Sequence, residues 1–113
     1  FTYIDDIVEG IVRLLPKPPK ADDGAPSKVY NIGNNSPEKL MTFITTLEAA
    51  LSEALKREVV FEKVFEPLKP GDVPATYAST DRLQAAVGFK PRTTIKEGLT
   101  QFAQWYVDYY GVK

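Results

Sequence analysis

The chain has no cysteine and no histidine. Those absences remove a disulfide framework, a thiolate site, zinc centres built on Cys or His, and any Ser-His or Cys-His nucleophile pair. It has little net charge: 14 basic against 15 acidic side chains leave −1. That balance argues against broad attraction to nucleic acid or an anionic membrane, although a local basic spot can still hold one phosphate. No apolar run approaches the roughly 20 residues that a membrane span needs. No signal peptide is visible, so the expected compartment is the cytoplasm. An initiator Met is also missing. The first residues, Phe1-Thr2-Tyr3-Ile4, form an aromatic, strand-like run where natural termini are usually polar and frayed. A fragment of a longer protein is therefore favoured over a trimmed terminus.

What is present suits one small domain over residues 1–113, with a modest core drawn from 43% apolar residues. Asp5 and Asp6 are read as caps of a helix carrying Ile7, Val8, Ile11, Val12 and Leu15 at helical spacing, ended by Pro16. A polar, Pro-rich loop follows over 16–27. Lys28 to Ile32 reads as a short strand, broken by Gly33-Asn34-Asn35. Ser36 then caps a second helix with Pro37 at its first position and Leu40, Phe43, Ile44, Leu47, Leu51 and Leu55 on its apolar face.

Glu58 to Phe65 reads as another strand, and 75–78 as a short extended piece. Between them lies a loop carrying Lys69, Gly71 and Asp72. Thr80 or Asp81 starts a short helix with Leu83, Ala86 and Val87 inward and Gly88 at its end. Thr94 and Glu97 fit a capping box. The helix after it turns Ile95, Leu99, Phe102, Ala103, Tyr106 and Tyr110 to the core. The expected fold class is α/β, of α+β-like character, with about four helices and two to three short strands. A lone strand at 28–32 leaves an unprotected edge, so more protein or a second copy is expected to complete the sheet.

Four stretches, in order, carry a resemblance. They are Phe1-Thr2-Tyr3-Ile4-Asp5-Asp6-Ile7-Val8; Val29-Tyr30-Asn31-Ile32-Gly33-Asn34; Lys69-Pro70-Gly71-Asp72-Val73-Pro74-Ala75-Thr76-Tyr77-Ala78; and Gly88-Phe89-Lys90-Pro91 running on to Trp105-Tyr106. Together they resemble the C-terminal, nucleotide-sugar-binding part of extended short-chain dehydrogenase/reductases. Within that family the Pro-Gly-Asp-Val-Pro-Ala-Thr stretch is most similar to the UDP-glucuronate 4-epimerase branch. The resemblance implies a full-length enzyme in which bound NAD takes hydride from C4 of the sugar, a tyrosine phenolate takes the hydroxyl proton, and hydride returns to the other face of the 4-keto sugar.

Such chemistry needs a Gly-rich phosphate loop and a Tyr-x-x-x-Lys pair whose lysine lowers the phenol pKa. Gly33 and Gly71 lack the G-x-G-x-x-G context. Tyr109 and Lys113 fit the letters of the second motif but fall at the fraying end of a helix, with no cofactor domain before them. The expectation is that the half carrying NAD and the catalytic base is absent from residues 1–113, and that this piece alone neither turns over sugar nucleotides nor binds NAD.

Three residues are then expected to face a UDP-sugar. The resemblance implies that Asp72 accepts hydrogen bonds from the ribose hydroxyls. The competing reading is a turn aspartate bonding its own backbone. Lys69 stands where many relatives place an arginine on the diphosphate; a lysine offers a point charge in place of a fork, and a solvated loop lysine is the alternative. Thr76 falls where relatives line the hexose pocket, or is simply a β-branched residue in an extended segment. A phosphate-binding arginine that relatives carry just before the Phe1-Thr2 run lies outside the chain.

The acidic pairs lack the ligand spacing of an EF-hand. The aromatic tail of Trp105, Tyr106, Tyr109 and Tyr110 reads as packing, or as a patch bared without its partner; such surface invites a homodimer. Other readings are a dehydratase, decarboxylase or reductase of the same family, and a stand-alone, non-enzymatic interaction module.

Overall fold

Four apolar periodic stretches fold as helices: α1 (Ile4–Leu14), α2 (Leu40–Leu55), α3 (Asp81–Val87) and α4 (Ile95–Tyr110). The computed structural model describes residues 1–21 and 24–113; Asp22 and Asp23 of the loop read over 16–27 lie outside them. The described residues divide into two compact units, one made of residues 1–37 and 77–93, the other of 38–76 and 94–113. No helix among them is long and apolar enough to cross a membrane.

In the first unit α1 packs on α3. Gly10 is buried, and a Cβ there would lie 3.2 Å from Ile32 Cδ1 and 3.7 Å from Leu83 Cδ2. The missing side chain leaves room for Ile32, which would crowd a Cβ there, while Leu83 would be at ordinary contact distance. The helix is capped two to three residues before its expected caps. Tyr3 is the N-cap and makes no side-chain cap bond. Asp5 and Asp6 sit in the first turn, where their charge suits the helix dipole. Reading them as caps is thus corrected: the buried Asp6 carboxylate accepts from the backbone N–H groups of Arg92 and Thr93, at 3.2 and 2.9 Å.

The segment read as a strand over 28–32 forms none. It is tied down by side chains instead: Asn31 Nδ2 donates to the Ser79 carbonyl, Asn34 Nδ2 to that of Thr93, and the Asn34 N–H to Thr2 Oγ1.

The second unit is built on α2 against α4. Ala50, Leu99 and Ala103 are buried, with Phe43, Leu47, Leu51 and Ile95 packed around them. The two alanines keep the helices close at the crossing, and each fully buried Leu-sized side chain contributes about 1.5–3 kcal/mol. α4 starts with the expected capping box. Thr94 Oγ1 accepts from the Glu97 N–H at 3.2 Å, and the Thr94 N–H donates to Glu97 Oε2 at 2.9 Å. Glu97 is held below the usual glutamate range by its bonds to the Thr94 side chain and backbone.

α2, by contrast, starts at Leu40 behind an extended Lys39, so Ser36 and Pro37 precede the helix and do not cap it. The helical turn forms only where the apolar repeat begins, because burial of that face supplies most of its stability. Beyond the core, Phe102, Trp105, Tyr109 and Tyr110 stay exposed and stack on one another or on Tyr106.

The α/β expectation is corrected on its strands. Among the described residues there is no strand at 28–32, at 58–65 or at 75–78. A strand exists only with a partner, and none of these segments finds one. Over 59–63 the partner is a helix. The Val59 N–H donates to Ser52 Oγ at 2.9 Å and the Phe61 N–H to Glu48 Oε1 at 2.8 Å. Lys63 pairs with the same Glu48 and donates to the Phe61 carbonyl. These bonds, led by Lys63 and then the Phe61 N–H, pull the Glu48 carboxyl below its usual range.

Candidate functional site

Residues 66–77 belong to no regular element, yet prolines stiffen them. Pro67, Pro70 and Pro74 fix φ and remove three N–H donors. At the centre the Asp72 N–H donates to the Lys69 carbonyl at 3.1 Å. Pro70 takes the second position of that four-residue turn, and Gly71 the third, at φ +94°. This is the arrangement of a type II turn, whose third position requires positive φ. An added Cβ at Gly71 meets nothing within 4 Å, so the backbone angle alone calls for glycine.

The turn sets Lys69 and Asp72 at its two ends. The Lys69 ammonium lies 2.8 Å from the Glu66 carboxylate, with the two side chains 71% and 60% exposed. An exposed pair of this kind contributes about 0–1 kcal/mol, so an anionic ligand can take Lys69 over at small cost. Asp72, Thr76 and Tyr77 are exposed. The three residues singled out in the sequence thus lie on one stiff, open segment. Chemically it offers a cation for a phosphate and a carboxylate for hydroxyl donors. Glu66 was not anticipated; its spacing of three before Lys69 is common on surfaces and carried no signal.

Tyr109 and Lys113, which fit the letters of a Tyr-x-x-x-Lys pair, do not form one. α4 ends at Tyr110 and Gly111 turns left-handed at φ +60°, so Lys113 lies past the helix end and shares no helical face with Tyr109. The Tyr109 ring packs instead on Trp105 and Tyr110, with centroids 5.3 and 4.9 Å away.

No family model matches the chain. It is nevertheless similar along nearly its whole length to curated proteins. It is 45% identical to Protein CapI of Staphylococcus aureus, covering 97% of this chain and 35% of that protein. It is 42% identical to the Probable UDP-glucuronate 4-epimerase of Rhizobium meliloti, over 97% of this chain and 34% of the relative. Against UDP-glucuronate 4-epimerase 6 of Arabidopsis thaliana it is 36% identical, over 100% of this chain and 25% of the plant protein. The chain thus spans about a third or less of the length of these relatives, and it corresponds to their C-terminal part.

Among solved structures it shares the fold of part of the UDP-glucose 4-epimerase from Bifidobacterium longum in complex with NAD+ and UDP. The TM-score is 0.67 at 22% identity, over 91% of this chain and 28% of that one. The resemblance read from the four motifs therefore holds.

Proposed function

We propose that residues 1–113 form the C-terminal, nucleotide-sugar-binding part of an NAD-dependent UDP-sugar 4-epimerase, with UDP-glucuronate as the substrate of the full-length protein. The observation that carries this reading is the similarity, at 42% identity across 97% of the chain, to a probable UDP-glucuronate 4-epimerase. The segment 66–77 supports it, because its turn presents Lys69 and Asp72 as a cation and a hydroxyl acceptor a few residues apart. On this reading the Asp72 carboxylate accepts from the ribose hydroxyls, the Lys69 ammonium leaves Glu66 for the diphosphate, and Thr76 lines the hexose pocket. NAD supplies the hydride acceptor and is held by protein outside residues 1–113, together with the catalytic base.

The test is an activity and NAD-content assay on the full-length protein with UDP-glucuronate, UDP-glucose and UDP-galactose. Inversion at C4 of UDP-glucuronate, with NAD in the purified protein, is the expected result. Release of CO2 or loss of water from the sugar would replace the epimerase with a decarboxylase or a dehydratase. Residues 1–113 alone are expected to be silent, and turnover of a UDP-hexuronate by them would overturn that part.

A further inference from the structure

Lysine is an undiscriminating anion site. Its ammonium is a point charge with no planar fork to match one ligand shape, so the anion it holds is decided by which anions stand within reach. The segment 66–77 carries one cation, Lys69, with a carboxylate three residues to each side, Glu66 and Asp72. The Lys69 ammonium lies 2.8 Å from the Glu66 carboxylate, and both side chains are open to solvent. The chain around the pair is stiff. Glu66 and Lys69 each precede a proline, which disfavours helical backbone at both, and neither is helical. The turn from Lys69 to Asp72 is closed by its own hydrogen bond.

A tethered carboxylate competes for Lys69 differently from a dissolved anion. Linked by so short a stretch, Glu66 stands beside the lysine at an effective concentration on the order of millimolar or above. Phosphate or sulfate must displace it from bulk solution. A nucleoside diphosphate arrives in another way. Once its ribose hydroxyls are held by Asp72, its phosphates are tethered as well. They then meet Glu66 on equal terms and with greater charge. Because an exposed ion pair contributes little, the anchored diphosphate displaces Glu66 where a dilute free anion does not.

We infer that Glu66 is a specificity-determining residue: a resident counter-anion that closes Lys69 to free anions and yields it to a diphosphate already anchored through its nucleoside. The inference rests on the reading of Asp72 and Lys69 as ribose and diphosphate contacts. It carries a penalty, since every nucleotide that binds must break the Glu66 pair. Glu66 therefore holds UDP affinity below what the turn would otherwise reach.

Calorimetric titration of the full-length protein with UDP, with and without inorganic phosphate, tests this. Ionic strength is held constant with sodium chloride, because salt alone screens an exposed lysine. In Glu66→Gln, UDP is expected to bind up to about fivefold tighter without phosphate, the range that an exposed pair allows. Millimolar phosphate then weakens UDP binding to the variant, whereas in the parent it does no more than chloride. Both effects are expected to vanish when Lys69→Gln is added, since the competitor acts through the lysine. UDP affinity that is unchanged or weaker in Glu66→Gln overturns the inference, as does phosphate that competes equally in parent and variant. A gain that survives Lys69→Gln overturns it too, because Glu66 then acts on the ligand directly. The functional reading fails separately: UDP weakened by Lys69→Gln but unmoved by Glu66→Gln sinks this inference alone, and UDP indifferent to Lys69→Gln sinks the reading of the turn as a diphosphate site.

Discussion

The regions around residues 91–93 and 66–77 are both irregular, and they are ordered in opposite ways. Residues 91–93 have a buried proline at one end and hand their amides to a side chain from elsewhere: the Arg92 and Thr93 N–H groups meet the Asp6 carboxylate, and the Thr93 carbonyl meets Asn34. Residues 66–77 keep to themselves. Their recorded contacts are a turn closed within four residues and an ion pair three residues apart. An aspartate thus does structural work in the first region, where its charge is spent on backbone donors. In the second an aspartate is left open to a ligand. Where a loop's polar groups are already engaged, substitution is expected to change stability; where they are not, any effect is expected on binding.

The sharpest way to break this contrast is at Asp6. Asp6→Ala leaves two backbone donors without their acceptor and is expected to cost about 1–3 kcal/mol of stability, read as a lower urea midpoint of the full-length protein. Asp6→Asn keeps an acceptor oxygen and recovers much of the loss. A neutral Asp6→Ala would mean that 91–93 stands without its anchor, and the contrast with 66–77 would fail.

Asp72 should behave in the reverse manner. Asp72→Ala is expected to stay within about 0.5 kcal/mol of the parent in stability, as exposed positions do, while UDP affinity drops about tenfold through loss of charge-assisted hydrogen bonds. Destabilisation without a change in UDP binding would make Asp72 a turn residue only. Lys69→Gln is a smaller perturbation, because the lysine offers a point charge and its pairing with Glu66 is cheap to break. A loss of about threefold in UDP affinity, fading as salt is raised, is expected from binding titrations at two ionic strengths. A Lys69→Gln protein that binds UDP as well at low salt as the parent would remove Lys69 from the site.

Local chemistry was the most legible part of the sequence. The capping box at Thr94 and Glu97 and the stop at Gly88 depend on residues within a few positions of one another, and each forms as read. The role of Asp6 was not legible, because its partners lie 86 and 87 residues away in sequence. The strands failed for a related reason. Val59-Val60-Phe61 has strand composition, but strand formation depends on a neighbour, and within this chain the neighbour is α2. For the candidate site, sequence motifs picked out Lys69, Asp72 and Thr76, and the structure places all three on one segment.

Acid is the gentlest probe of the same contrast. Glu48 and Glu97 both have carboxyls held below the ordinary glutamate value of 4.5, Glu48 mainly by Lys63 and Glu97 mainly by the Thr94 side chain. A carboxyl whose folded value is lowered binds fewer protons in the folded state than in the unfolded one. Its stabilisation is complete above the unfolded value and is lost as pH falls through the lowered folded value. Stability should therefore be flat as pH falls towards about 4.5 and decline below it, with residues 59–63 and the first turn of α4 loosening first, since these carboxylates hold them. Urea midpoints between pH 6 and pH 3 measure the decline, and Glu48→Gln should make it shallower because one of the two titrating anchors is gone. An equally steep acid limb in Glu48→Gln would show that the segment 59–63 is held by something other than this carboxylate.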